Sequence, residues 1–212
     1  MKRDPLKLAL LSPIAGMLFS CSSVAQARVA AQQAQPALPC QLSEADKVAN
    51  AELSVPQFDY TPSSSTNARS LANRGCHREA ADAGQDYLAR RQIGDERAHS
   101  NVIFHIGQNL AMSGAEHAAA MMIAAAKRSS QPADAAFDWN TYVFGTWAFL
   151  QRSRALLQSS YDVLSAKDGE GNQANARILG GLLHCFGQPY AKAYSPMCVE
   201  AAAAKRETRK AD

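Results

Sequence analysis

The chain is predicted to be all-α, built of antiparallel helical hairpins, and three observations predict it. No stretch sustains the two-residue apolar alternation of a half-buried strand, and Ala, Leu, Gln and Arg dominate the body of the sequence. Gly94, Gly114 and Gly187 stand where apolar helical runs stop, and glycine accepts left-handed backbone angles cheaply. The connections between runs are short, which makes consecutive helices antiparallel neighbours.

The first element is a secretory signal over residues 1–20. MKRDPLK carries Lys2, Arg3 and Lys7 against Asp4, and an apolar run from Leu8 to Ser20 comes next. That run is shorter than the roughly twenty apolar residues a spanning helix needs, and Pro13 interrupts it. Two endings compete. Ala25-Gln26-Ala27 is an A-x-A cleavage pattern, and a cut after Ala27 leaves a soluble periplasmic protein. Leu18-Phe19-Ser20-Cys21 resembles the bacterial lipobox in Leu18 and Ser20 and departs from it at Phe19, where a small residue is usual. The resemblance implies lipidation of Cys21, and Ser22 after it implies an outer-membrane lipoprotein facing the periplasm. Residues 21–39 lack the large apolar side chains a core requires, so they read as a disordered tether. A tether suits an anchored protein, which favours the lipid.

Either ending leaves Cys40, Cys76, Cys185 and Cys198 of the five cysteines. In an oxidising compartment four thiols allow three full pairings. Cys185 and Cys198 flank a Gly-Gln-Pro turn and are the first expected pair, and Cys40 with Cys76 is then the second. Losing Lys2, Arg3, Lys7 and Asp4 with the signal lowers the formal charge from +3 to about +1, too little for a nucleic-acid footprint.

The body of the chain is expected as one helical domain over 40–198, with a charged tail over 199–212. Ser43, three residues before Asp46, opens a short helix with a capping box. The Pro- and Ser-rich stretch from Ser54 to Ser65 reads as a loop. Helices are expected at about 66–92, with a break at Gly75, and at 95–112, 115–129, 136–151, 153–166 and 172–186. Asp95 is placed to cap one of them, and Lys167 to Asn172 is a turn cluster.

Within that pattern Asn101 to Pro132 carries a spacing of its own. Ile103, Ile106 and Leu110 surround Gly107, Gly114 marks a turn, and Ala119, Ile123 and Ala126 come before Pro132. This resembles a tetratricopeptide repeat, a helix-turn-helix unit of about 34 residues. The match is best over 100–133 and degenerate over 136–166, where Trp139, Tyr142, Thr146 and Phe149 form one stripe and Leu156, Leu157, Tyr161 and Leu164 the next. The resemblance implies a short solenoid in which Gly107 lies opposite Ala119. Ala80, Ala81, Tyr87 and Leu88 are expected as the second helix of a preceding unit, with 176–186 capping the stack.

Catalytic signals are missing from the local sequence. His77, His99, His105, His117 and His184 show no HExxH spacing, and no Cys/His ligand set or GxSxG elbow occurs. No catalytic residue, metal or cofactor is therefore assigned, and each histidine reads first as a satisfied, partly buried side chain. Asn101, His105, Gln108, Asn109, Asn140 and Tyr142 are the expected partner-binding residues, because polar and aromatic groups left over on stacked hairpins suit protein recognition. Phe144 is a further candidate on the same helix as Asn140 and Tyr142, and Tyr142 and Phe144 read first as core.

The sequence thus points to a non-enzymatic, periplasm-facing module that binds another protein. An inhibitor (immunity) protein that neutralises a toxin and an adaptor in envelope assembly both fit. Its only membrane contact would be the lipid, and nucleic acid is not expected as a partner. A hydrolase using His105 or His184 is the alternative.

Overall fold

The computed structural model describes residues 40–132 and 135–211. The signal, Cys21, the cut after Ala27 and the tether to residue 39 lie outside them. The described chain is all-α, with sequential helix pairs packed together and no strand among the described residues.

Helix α1 (Glu44–Glu52) starts as expected. The Asp46 amide donates to Ser43 Oγ at 3.2 Å and the Ser43 amide donates to the Asp46 carboxylate at 2.9 Å. The expected loop after it contains a one-turn π-helix, Pro56–Tyr60. Burial explains this departure, since Phe58 is fully enclosed and its ring stacks on Tyr87 at 3.9 Å. The buried Asn67 amide then donates to the Gln57 and Thr61 carbonyls at 2.6 and 2.7 Å. Asn67 also caps α2 (Ala68–Asn73) by accepting the Ser70 amide. The break at Gly75 is present, with φ of +80°, and α3 (His77–Arg90) begins beyond it, tied back by a Cys40–Cys76 disulfide.

Helix α4 (Glu96–Met112) is capped by Asp95, whose carboxylate accepts the Ala98 amide at 2.6 Å. It packs on α5 (Glu116–Ala125) across the turn at Gly114. Gly107 is the point of closest approach, but its neighbour is Ile123 and not Ala119. A Cβ on Gly107 would stand 2.9 Å from Ile123 side-chain carbons and 3.0 Å from the Ile123 amide nitrogen. Ile106, Leu110, Ala119, Ile123 and Ala126 are buried as expected, whereas Ile103 is only half-buried. Helix α5 ends earlier than its alanine run implies, because Asn140 takes over the backbone of Arg128. Asn140 Oδ1 accepts the Arg128 amide and Asn140 Nδ2 donates to its carbonyl.

Helices α6 (Trp139–Leu150) and α7 (Arg154–Ser165) pair across a turn that has no glycine. Arg152 takes the left-handed conformation there, at φ +56°. Its side chain is tied down by Glu116 and by the Gln188 carbonyl. Trp139, Tyr142, Thr146 and Phe149 form the buried stripe, with Leu157 and Leu164 behind them, while Leu156 is exposed. Helix α8 (Glu170–His184) packs on α7. The short α9 (Tyr190–Ala193) and α10 (Pro196–Ala211) complete the chain. Helix α10 crosses residue 199, where the sequence places a charged tail. It lies against α8, with Gly181 beside Val199, and a Cys185–Cys198 disulfide joins the two. The two disulfides suggest an oxidising, extracytoplasmic location. Among the described residues no helix is long and apolar enough to cross a membrane.

Candidate functional site

Three of the expected binding residues converge. His105, Gln108 and Asn109 lie on one face of α4 and line a cleft of about 180 Å³. The rest of the lining includes Asp59 in the π-turn, Arg69, Ala72 and Asn73 in α2, and His77 at the start of α3. Tyr194, after α9, lines it as well.

Asp59 organises this cleft. Its residue is 3% exposed, and its Oδ2 lies 2.6 Å from His105 Nδ1. Its backbone oxygen accepts Arg69 Nε at 2.8 Å. One buried residue therefore orients an imidazole with its side chain and a guanidinium with its main chain. Asn109 acts similarly on the second histidine. Asn109 Nδ2 donates to the His105 carbonyl at 2.9 Å, so its oxygen faces His77 Nδ1 at 3.0 Å. That bond requires the proton on His77 Nδ1. Gln108 Nε2 donates to the Tyr190 hydroxyl at 3.3 Å. Burial pushes the Tyr190 phenol well above its ordinary range, so it stays a neutral partner.

The other expected residues go elsewhere. Asn101 donates to the Tyr60 hydroxyl and accepts Arg128 Nη2 at 2.9 Å. It lines a separate cavity of about 480 Å³ with Arg97, Gln131 and Trp139. The Arg128 guanidinium lies over the Trp139 ring, 4.3 Å from its centroid. Burial and the nearby Arg97 lower its proton affinity. Tyr142 is 4% exposed and packs among Phe104, Phe137 and Trp139. Its core reading holds, and burial raises its phenol far above the ordinary value. His99, His117 and His184 are exposed. Cys185, beside His184, is held in its disulfide and offers no thiol.

A second concavity opens between α5, α6 and α7. It measures about 430 Å³ and is mostly apolar, walled by Ala124, Val143, Phe144, Trp147 and Val163. Asn140 and Lys127 stand at its polar margin, so Asn140 reaches this groove while its amide is engaged with Arg128. Phe144 is 44% exposed and stacks on Trp147 at 5.4 Å. Met121 on α5 and Leu156 on α7 are exposed as well.

Sequence reasoning missed Asp59, Arg69, His77 and Tyr194 as members of the cleft and Trp147 as part of the groove, whereas Phe144 was a candidate and is exposed. One available signal was Phe58-Asp59-Tyr60, an aromatic pair inside an otherwise polar, proline-rich stretch.

Fold and sites together define an all-helical, twice disulfide-bonded protein with a polar cleft at His105 and an apolar groove at Phe144. No protein-family model matches the chain, and no curated protein or solved structure matches it.

Proposed function

We propose that this protein is a non-enzymatic binding module that recognises another protein through the groove between α5, α6 and α7. The supporting observation is the exposed Phe144, stacked on a half-buried Trp147 in a mostly apolar trough. Large aromatic side chains with a polar margin are the usual anchors of protein recognition, and a folded protein gains no stability by leaving them in water. The scaffold is read as a short, degenerate tetratricopeptide-like solenoid, supported by sequential pairing of the helices and by the close approach at Gly107. Export is supported by the two disulfides, and the lipobox-like Leu18–Cys21 supports an outer-membrane lipid anchor that holds the module facing the periplasm. A compact binder on a tether suits an inhibitor of a toxin or an adaptor in envelope assembly.

Affinity capture from envelope extracts tests this. The intact chain should retain one stoichiometric partner, and Phe144→Asp should lose it while keeping the same thermal midpoint. A chain that retains nothing across salt conditions, or equal retention by Phe144→Asp, overturns the reading.

A histidine-dependent hydrolase is the second reading, favoured by the Asp59–His105 pair in a cleft. It ranks second because, among the described residues, no serine, threonine or cysteine lines that cleft beside the imidazole.

A further inference from the structure

We propose that the Asp59–His105 cleft is a binding site for a single carboxylate group. Several of its polar atoms are already engaged, and those still open share one character. Arg69 uses Nε on the Asp59 carbonyl, and no carboxylate among the described residues forms an ion pair with it. Pinning Nε fixes the plane of the guanidinium and leaves its two terminal nitrogens for a ligand. Arginine is suited to this, because its rigid fork matches the two oxygens of a carboxylate.

His105 is pinned in the same way. With Nδ1 bound to Asp59, Nε2 is the nitrogen left for the cleft. Nε2 is a donor only when the ring carries a second proton, and the buried Asp59 carboxylate is then the countercharge beside the guanidinium. His77 has Nδ1 taken by Asn109 and keeps Nε2, which likewise donates only in the doubly protonated ring. Asn73 and Tyr194 add neutral polar groups. Among the described residues Asp59 is the only acidic one lining the cleft, and it already has its partner. The free guanidinium nitrogens of Arg69, joined by either ring once doubly protonated, therefore favour negative charge.

The alternatives fit less well. A divalent metal would meet two imidazole nitrogens and a guanidinium, and no group of three or more metal-ligating side chains occurs among the described residues. A neutral sugar would leave the Arg69 guanidinium without a countercharge. A carboxylate with a few carbons behind it fits. It could come from a free organic acid or from the C-terminus of a peptide, which differ in the group attached behind the carboxylate.

Imidazole-ring NMR on the full chain reads the site directly, at about pH 6, where an ordinary imidazole carries its proton. Three probes serve: acetate, a short peptide with a free C-terminus, and the same peptide amidated. Acetate should move the His105 and His77 ring signals saturably, leaving His99, His117 and His184 in place. A free-acid peptide that binds more tightly than acetate, with no binding by the amide, identifies a peptide terminus as the source. Equal binding by acetate and peptide identifies a free acid. Arg69→Gln should weaken binding at least tenfold. Because Arg69 also braces Asp59, His77→Gln provides a second variant, expected to weaken binding several-fold at an unchanged thermal midpoint. Rings that do not respond to either carboxylate, equal binding by the amide, or wild-type affinity in both variants would overturn the proposal.

Discussion

Replacing Asp138 should separate a helix cap from a charge, and the structure sets the size of each. Asp138 is 7% exposed and caps α6 by accepting the Thr141 amide at 3.2 Å. Its carboxylate also accepts the Thr141 hydroxyl at 2.8 Å, Gln131 Nε2 at 2.7 Å and Lys167 Nζ at 2.5 Å. Burial alone would raise this carboxyl. The bonds from Lys167, Gln131 and Thr141 outweigh it and hold the pKa down, from 3.8 to about 2. That difference corresponds to about 2.4 kcal/mol before screening. Lys167 is 40% exposed, so solvent leaves about 1–2 kcal/mol. A depressed carboxylate pKa stabilises the fold fully above 3.8, and the contribution is lost as the pH falls towards about 2. Asp138→Asn keeps a capping oxygen and removes the charge, so it should cost about 1–2 kcal/mol at neutral pH. Asp138→Ala loses the cap as well, about 1 kcal/mol more. Urea midpoints measured from neutral pH down to about pH 2 give the test. The wild-type advantage over Asp138→Asn should fall to roughly a fifth of its neutral-pH value by about pH 2, where the wild-type carboxylate is half protonated. A gap that is undiminished at about pH 2, or absent at neutral pH, refutes the account of this carboxylate.

Two further predictions concern the scaffold. Cys40–Cys76 closes a loop of sequence separation 36 and Cys185–Cys198 one of 13, so chain entropy assigns them about 4 and 3 kcal/mol. Paired alanine variants compared by urea unfolding should lose stability in that order, and a larger loss at the shorter loop contradicts the entropic ranking. Gly107→Ala gains about 1 kcal/mol of helix propensity but drives its Cβ into Ile123, including the main chain, which costs about 1–3 kcal/mol. A net loss of about 1 kcal/mol is expected by thermal unfolding. Gly94→Ala, with nothing within 4 Å of its added carbon, should be neutral or stabilising, and equal behaviour of the two variants removes the steric argument.

The helices were legible because their interruptions are chemical. Gly75 and Gly114 leave helices in left-handed geometry, Ser43 and Asp95 cap them, and each signal lies within a few residues of the helix end it controls. The π-turn and α10 were not legible, because the groups that hold them come from far along the chain. Phe58 needs Tyr87 to be buried, and α10 is held beside α8 at Gly181. The same distinction divides the cleft. His105, Gln108 and Asn109 could be found as polar residues that packing on α4 does not require. Asp59 could not, since it reaches His105 across 46 residues from a stretch that reads as loop. Phe144 could be named but not separated from core, and Trp147 could not be named at all, for another reason. An aromatic residue at helical spacing looks the same in sequence whether a neighbouring helix covers it or not, and only the relative placement of α5, α6 and α7 leaves this pair open.

Two buried carboxylates show why burial alone does not mark a site. Asp138 and Asp59 are exposed to 7% and 3%, so each needs compensation for leaving water. Asp138 obtains it within its own neighbourhood: a cap, a hydroxyl, an amide and an ammonium saturate both oxygens and bind α6 to the flanking turns. Removing it should weaken the fold without creating or destroying any binding capacity. Asp59 has one side-chain partner among the described residues, and that partner has a second nitrogen at a cleft. Asp59 therefore fixes the orientation of His105 at the cleft, beside a guanidinium that the same residue pins in place. A carboxylate used only for stability has little reason to be coupled in this way to two groups able to hold an anion. Asp59→Asn makes the contrast measurable: it should alter carboxylate binding at the cleft by a larger factor than Asp138→Asn, whatever the two cost in unfolding free energy.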